Sequence, residues 1–344
     1  MATTWPLGGS LVADYDHHGR LATLLWEQRL AVPSAQVDRV PFESTAVAGT
    51  TLRQRYLRAE EFLVGLIGVA LLRLSAADGL TTGDRTRLAG PLLQQLQEFL
   101  WQLDGLSFSQ GWEVLDPRAG YGRWAASYDL ASAALAALEE PSVLALLDDL
   151  PAGPVLDAAC GTGRYAAHLA GQGRQVVGVD IAAEMLAIAQ PRVPTGRFVV
   201  GDLCALPLPA ASMAGAVSGL ALAHVGDLAV AARELARVVR AGGRVVVSVP
   251  HPLVVALLDF KAAIPPGHGD QRRAYVRQHP HSVSDYLTAF LSAGWELRHC
   301  LEPQISPTAA AALRPGFADI SQLALVGLPA VLVLDLERCP MQAP

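Results

Sequence analysis

Hydrophobic and polar positions change rhythm near residue 110. Before it, Leu52–Leu74 (LRQRYLRAEEFLVGLIGVALLRL) sets apolar residues three and four apart among strong helix formers. DGLTTGD interrupts that spacing, and Arg87–Leu103 resumes it with LLQQLQEFLWQL. The pattern predicts two helices joined by a turn, each with an apolar face that must pack against something. No ligand constellation occurs there. Residues 1–112 are therefore expected to be a mainly helical cap or dimerisation region, with a catalytic domain over 113–344.

After Ser127 the rhythm alternates. Short β-branched runs are followed by amphipathic stretches: PVLDAA then RYAAHLAG, QVVGVD then AAEMLAIAQ, GRFVVGD, MAGAVSG then LAVAARELARVVR, and GRVVVSVP. Such alternation predicts βαβ units, a parallel sheet and helices on both faces: an α/β, doubly wound fold. The strands are near-continuous apolar runs, as strands covered on both faces are. Ligands in such sheets collect beyond the carboxyl ends of the strands, so the residues standing there are the informative ones.

After the first strand come Asp157, Ala158, Ala159, Cys160, Gly161, Thr162 and Gly163. The two glycines allow a ligand to approach the backbone, and the free amides of the helix starting near Arg164 point at the loop. Gly161-x-Gly163-x-x-Ala166 also fits a relaxed dinucleotide pattern, so a nicotinamide cofactor stays open at this point. Asp180, ending the second strand, suits ribose hydroxyls in either case. Asp202 and Leu203, ending the third, are placed to read an adenine amine and face. The fourth strand runs into SGLALAH and the fifth into SVPHP.

Read in order, LDAACGTG, VVGVDIAAEML, GDLCALPL and LARVVRAGGRVVVSVPHP resemble the class I S-adenosylmethionine-dependent methyltransferases, especially the small-molecule enzymes of the ubiquinone-biosynthesis type. SDYLTAFLSAGWELRHCLEP and LPAVLVLDLE resemble the family's late helix, sixth strand and antiparallel seventh strand. The resemblance covers about residues 118–340 and implies a seven-stranded Rossmann-like sheet. It implies that Asp157, Gly161 and Gly163 cradle the methionine part of the cofactor. Asp180, Ile181 and Met185 would hold the ribose and adenine edge, Asp202 and Leu203 the adenine, and Leu220 would add a contact. YGRWAASYD matches the tyrosine-bearing segment that folds over the methionine end, making Tyr121, Trp124 and Tyr128 candidates. Ala159 stands where many relatives have the loop's first glycine, which alanine can replace if the backbone angles there are ordinary.

Composition narrows the partners. The chain has 344 residues, of which 51% are hydrophobic and 17% charged, enough apolar material for a packed core. A net charge of −6 and the lack of a dense Lys/Arg run argue against nucleic acid. The longest apolar runs, Phe62–Leu72 and Ala324–Leu334, fall short of the ~20 residues a bilayer needs. The start lacks secretory-signal features. The cysteines (Cys160, Cys204, Cys300, Cys339) form no CxxC pair, which suits reduced thiols in the cytoplasm.

The expected reaction is methylation of a small molecule at oxygen or carbon, in specialised metabolism, with homodimerisation through the N-terminal helices. A nicotinamide-dependent oxidoreductase is the alternative. His224, His251 and His281 (with His279 beside it) follow strands four and five and precede the late helix, making them candidate catalytic bases. Converging, they would bind a divalent metal and favour C-methylation beside the carbonyl of a 2-oxo acid. The Pro/Gly-rich insert Leu253–Gln278 is expected to cover the acceptor, with Asp270, Arg272, Arg273 and Arg123 as candidate charged contacts.

Overall fold

The structure is a computed structural model that describes residues 3–4, 10–15, 21–27, 65–103, 113–258, 262–264, 274–313 and 318–340. It forms two compact units, Met1–Gly49 and Thr50–Pro344. In the first, Thr3–Thr4, Ser10–Tyr15 and Leu21–Glu27 make a three-stranded antiparallel sheet in a region expected to be mainly helical.

The second unit is built on a seven-stranded sheet. Its strands are β1 (Val155–Ala158), β2 (Val176–Asp180), β3 (Arg197–Val200), β4 (Met213–Gly219), β5 (Val239–Pro250), β6 (Trp295–Leu301) and β7 (Val331–Arg338). Their spatial order is 6-7-5-4-1-2-3. β1 to β5 pair in parallel, while β7 lies antiparallel between β5 and β6. Successive residues send side chains to opposite faces. Val155, Val217, Val246, Val331 and Val333 are buried on one side. Leu156, Ala216, Val245, Val247, Leu332 and Leu334 are buried on the other.

Eleven helices are described: α1 (Gly65–Ala76), α2 (Thr82–Leu103), α3 (Pro117–Trp124), α4 (Tyr128–Asp148), α5 (Arg164–Gly171), α6 (Ala183–Arg192), α7 (Leu228–Val238), α8 (Pro252–Leu258), α9 (Val283–Ser292), α10 (Pro307–Leu313) and α11 (Ala318–Leu325). The predicted hairpin is present as α1 and α2, and the start of its first helix, 52–64, lies outside the described residues. It does not form a unit of its own. Leu66, Ile67, Ala70 and Leu74 of α1 and Leu92 of α2 share one core with Val143 and Leu147 of α4, Leu169 of α5 and Ile320 of α11. Arg73 also donates to the Val326 carbonyl at 2.6 Å and the Ala324 carbonyl at 3.4 Å, covering orphan acceptors at the end of α11. The expected boundary at 112 is thus bridged by a continuous core. α7 and α9 cover the opposite face of the sheet.

A second small sheet joins distant segments. Ala274–Val276 pairs in parallel with Glu113–Leu115 and antiparallel with Ala262–Ile264. No single helix among the described residues is long and apolar enough to cross a membrane.

Candidate active site

From β1 the chain turns through Ala159–Gly163 into α5. Asp157 is buried, and its Oδ2 accepts from the Ala166 amide at 2.8 Å, bracing the strand end against the first turn of α5. Burial pushes this carboxyl up to about 7. The two glycines do different work. Gly161 has φ +53°, and a Cβ there would meet only Tyr128 Cε1 at 3.9 Å, leaving its open face to the cleft. Gly163 has φ +83°, and a Cβ would stand 3.0 Å from the Ala189 Cβ, so this glycine serves the packing of α5 on α6. Ala159 has φ +61°. The condition set for this alanine, ordinary backbone angles, is not met: the loop reverses here while the next amide, Cys160, is tied to the Val179 carbonyl at 3.0 Å. Cys160 is buried, and burial raises its thiol pKa far above the usual range, consistent with a space-filling role.

Asp180 ends β2 and holds the loop. Its Oδ2 accepts from the Gly161 amide at 2.8 Å and its Oδ1 from the Ala182 amide at 2.9 Å. Burial still raises its pKa overall. Each carboxylate oxygen has two acceptor positions, so both retain capacity for a ligand hydroxyl. Asp202, beyond β3, accepts from the Cys204 amide at 2.8 Å. β4 ends at Gly219, where a Cβ would lie 2.4 Å from Tyr165 Cε2. Leu220 follows with φ +56°.

An aromatic lid faces these loops. Tyr121 stacks on Trp124 (centroids 6.0 Å apart) and meets Tyr128 edge-on at 5.8 Å. Trp124 is buried against Ile264, Ala274 and Val276, so the insert after β5 backs the lid. Asp270, Arg272 and Arg273 of that insert lie outside the described residues. The Tyr121 hydroxyl stands 2.8 Å from His224 Nε2, and His224 Nδ1 lies 2.6 Å from the Arg277 carbonyl. A carbonyl only accepts, so Nδ1 carries the proton and Nε2 presents a lone pair to the Tyr121 hydroxyl. Burial lowers the His224 pKa and keeps the ring neutral at pH 7.

These parts enclose one cleft of about 280 Å³. Of the expected cofactor residues, Tyr121, Tyr128, Ala159, Gly161, Asp180, Ile181, Met185, Asp202, Leu203 and Leu220 line it, as does His224. Asp157 and Gly163 stand behind the lining. Pro117, Gly201, Cys204 and Gly219 also line it and were not expected; their signal was adjacency to strand ends and to the lid tyrosine. His251 and His281 are not among the lining residues. His251 is buried with Nε2 2.9 Å from Glu302 Oε1, and its Nδ1 accepts from the Leu253 amide at 3.1 Å. His281 Nε2 donates to the Val225 carbonyl at 2.7 Å. Among the described residues no three His, Cys, Asp or Glu side chains gather as metal ligands, so the three-histidine centre is not formed.

Residues 156–247, spanning β1 to most of β5, match the methyltransferase domain family. This segment is methyltransferase-like. Beyond that domain the likenesses are partial. The malonyl-[acyl-carrier protein] O-methyltransferase of Serratia marcescens is 35% identical over 130 residues, 38% of this chain and 51% of that protein. The 2-phytyl-1,4-naphtoquinone methyltransferase of Thermosynechococcus vestitus is 37% identical over 121 residues, 33% of this chain and 54% of that one. The chain therefore spans about half the length of these curated relatives. A chain from the complex of the Haloferax volcanii Trm112 methyltransferase activator with a methyltransferase shares the fold at 18% identity and a TM-score of 0.52, over 67% of this chain and 100% of that one.

The cleft fits S-adenosylmethionine by its own geometry. Gly161 leaves a cradle that a side chain would fill, Asp180 retains acceptor capacity, and Ile181, Met185 and Leu203 supply apolar walls for a flat base.

Proposed function

We propose that this protein transfers a methyl group from S-adenosylmethionine to an oxygen or carbon of a small-molecule acceptor. The observation that carries this reading is a single cleft that joins the loops of β1 to β4 to the Tyr121–His224 pair. When bound, S-adenosylmethionine supplies a sulfonium methyl group, an electrophile that needs only an in-line nucleophile. Asp180 and Asp202 would hold the cofactor's polar edges, and Ile181, Met185 and Leu203 its base. Tyr121 and Tyr128, which line the cleft, would shield the bound cofactor from water, so that positioning would supply much of the rate. The neutral His224 imidazole accepts from the Tyr121 hydroxyl through Nε2, and this supports a reading in which an acceptor hydroxyl or enol displaces that contact and gives its proton to Nε2. The relatives' names, one an O-methyltransferase and one a naphthoquinone methyltransferase, fit small acceptors of this kind.

Titration calorimetry tests the reading. S-adenosylhomocysteine is expected to bind at micromolar concentration and NADH not at all, and Asp180→Ala is expected to weaken S-adenosylhomocysteine about tenfold or more, the loss of one charge-assisted contact. Binding of NADH without S-adenosylhomocysteine would return the oxidoreductase alternative.

A further inference from the structure

Behind the cleft lies a carboxylate that none of the family's sequence landmarks includes. Glu139, on α4, is fully buried, with both oxygens engaged. Oε1 accepts from Arg164 Nη2 and Oε2 from the Ser248 hydroxyl. Arg164 is the first residue of α5, directly after the glycine loop; its other terminal nitrogen donates to Glu140 Oε1 at 2.9 Å, and its guanidinium lies 4.2 Å over the Tyr165 ring. Ser248, on β5, is also buried, and it receives the Leu220 amide at both its carbonyl (2.8 Å) and its hydroxyl (3.2 Å). Leu220 is the cleft residue in left-handed backbone.

The network thus joins two walls of the cleft. One arm fixes the start of α5, whose preceding loop contains Gly161. The other fixes the strained turn after β4. A buried carboxylate carries a heavy desolvation cost unless it is paired and hydrogen-bonded, and here its partners are the groups that set those two walls. We propose that Glu139 is a positioning residue for the cofactor, holding the glycine loop through Arg164 and the Leu220 turn through Ser248. This inference rests on the reading of the cleft as an S-adenosylmethionine site.

The test is calorimetric binding of S-adenosylhomocysteine to the full chain and its variants. Glu139→Gln keeps the shape but removes the charge, and Ser248→Ala removes only the hydroxyl. Glu139→Gln is expected to raise the Kd about tenfold and Ser248→Ala about threefold. The double variant is expected to match Glu139→Gln alone, because both act along one path. Asp335→Asn is the control. Asp335 is equally buried and paired with Arg244 at 2.7 Å, but away from the cleft between β5 and β7, so its loss should lower the unfolding midpoint and leave the Kd unchanged. An unchanged Kd in Glu139→Gln, additive effects in the double variant, or an equal rise in Asp335→Asn overturns the inference while leaving the methyltransferase reading intact. If Glu139→Gln does not fold, Ser248→Ala decides alone, and an unchanged Kd overturns it. Failure of the wild-type chain to bind would overturn the reading of the cleft and this inference together.

Discussion

At the scale of single residues, the cleft is marked by strain. Ala159 and Leu220 both hold left-handed backbone, at the ends of β1 and β4, and both line the cleft. A non-glycine residue pays roughly 1–2 kcal/mol for that conformation. Ala159→Gly is therefore expected to stabilise the protein by about 0.5–1 kcal/mol, after the extra freedom glycine gives the unfolded chain is subtracted. A rise in the urea midpoint with unchanged S-adenosylhomocysteine affinity is the outcome to look for. Asp157 makes a second prediction. Its folded pKa of about 7 lies above its ordinary value near 3.8, so its contribution to stability is fully present below pH 4 and is lost as pH rises through 7. Between pH 5 and 8 the unfolding midpoint should decline in wild type and decline less in Asp157→Asn. Sequence alone placed the acids at the strand ends, because motif and periodicity fix that position. The backbone angle at Ala159 was not legible, since alanine carries no sign of φ. Nor was Glu139, because a Glu-Glu pair in a helical stretch reads as a solvated face.

At the scale of elements, periodicity carried most of the fold: each β-branched run from PVLDAA to LPAVLVLDLE became a strand of the central sheet, the last of them antiparallel as the family resemblance implies. The turn geometry between them rests on local caps. α7 starts just beyond the cleft residue Gly226, and the Asp227 carboxylate caps it by accepting from the Ala229 amide at 3.0 Å and the Val230 amide at 3.2 Å. The same helix buries Leu228, Ala231, Ala232 and Leu235 against the sheet. Asp227→Ala is expected to cost about 1 kcal/mol, the usual value of an N-cap, measured as a lower urea midpoint. The histidines show what element-level reading misses. His224, His251 and His281 follow or precede elements at the same sheet edge, yet hydrogen bonds to the Arg277 carbonyl, Glu302 and the Val225 carbonyl turn them to separate tasks. Side-chain direction after a strand depends on partners remote in sequence.

At the scale of the molecule, the change of rhythm near residue 110 looked like a domain boundary, but the core runs across it. α1 and α2 contribute Leu66, Ile67, Ala70, Leu74 and Leu92 to the cluster that also holds α4, α5 and α11. A large aliphatic side chain loses about 1.5–3 kcal/mol on exposure, so this set rivals the 5–15 kcal/mol that holds a typical domain together. A chain starting at Glu113 is therefore expected to aggregate or to unfold without a sharp transition in calorimetry. A monomeric, cooperatively melting product that still binds S-adenosylhomocysteine would restore the boundary at 112. The partners of α1 lie more than two hundred residues downstream, in α11, and no local pattern announces a contact of that range.

The antiparallel β7 has a consequence for how the protein is made. On the ribosome β5 and β6 emerge first, yet in the finished sheet they are separated by a strand that has not yet been synthesised. Until Val331–Arg338 is translated, β6 has no neighbour and the flank of β5 is a row of unmet amides and carbonyls, the kind of edge that recruits other chains. The nascent polypeptide thus carries an open seam from the synthesis of β5 onward, sealed only when Val331–Arg338 slides between two strands already in place.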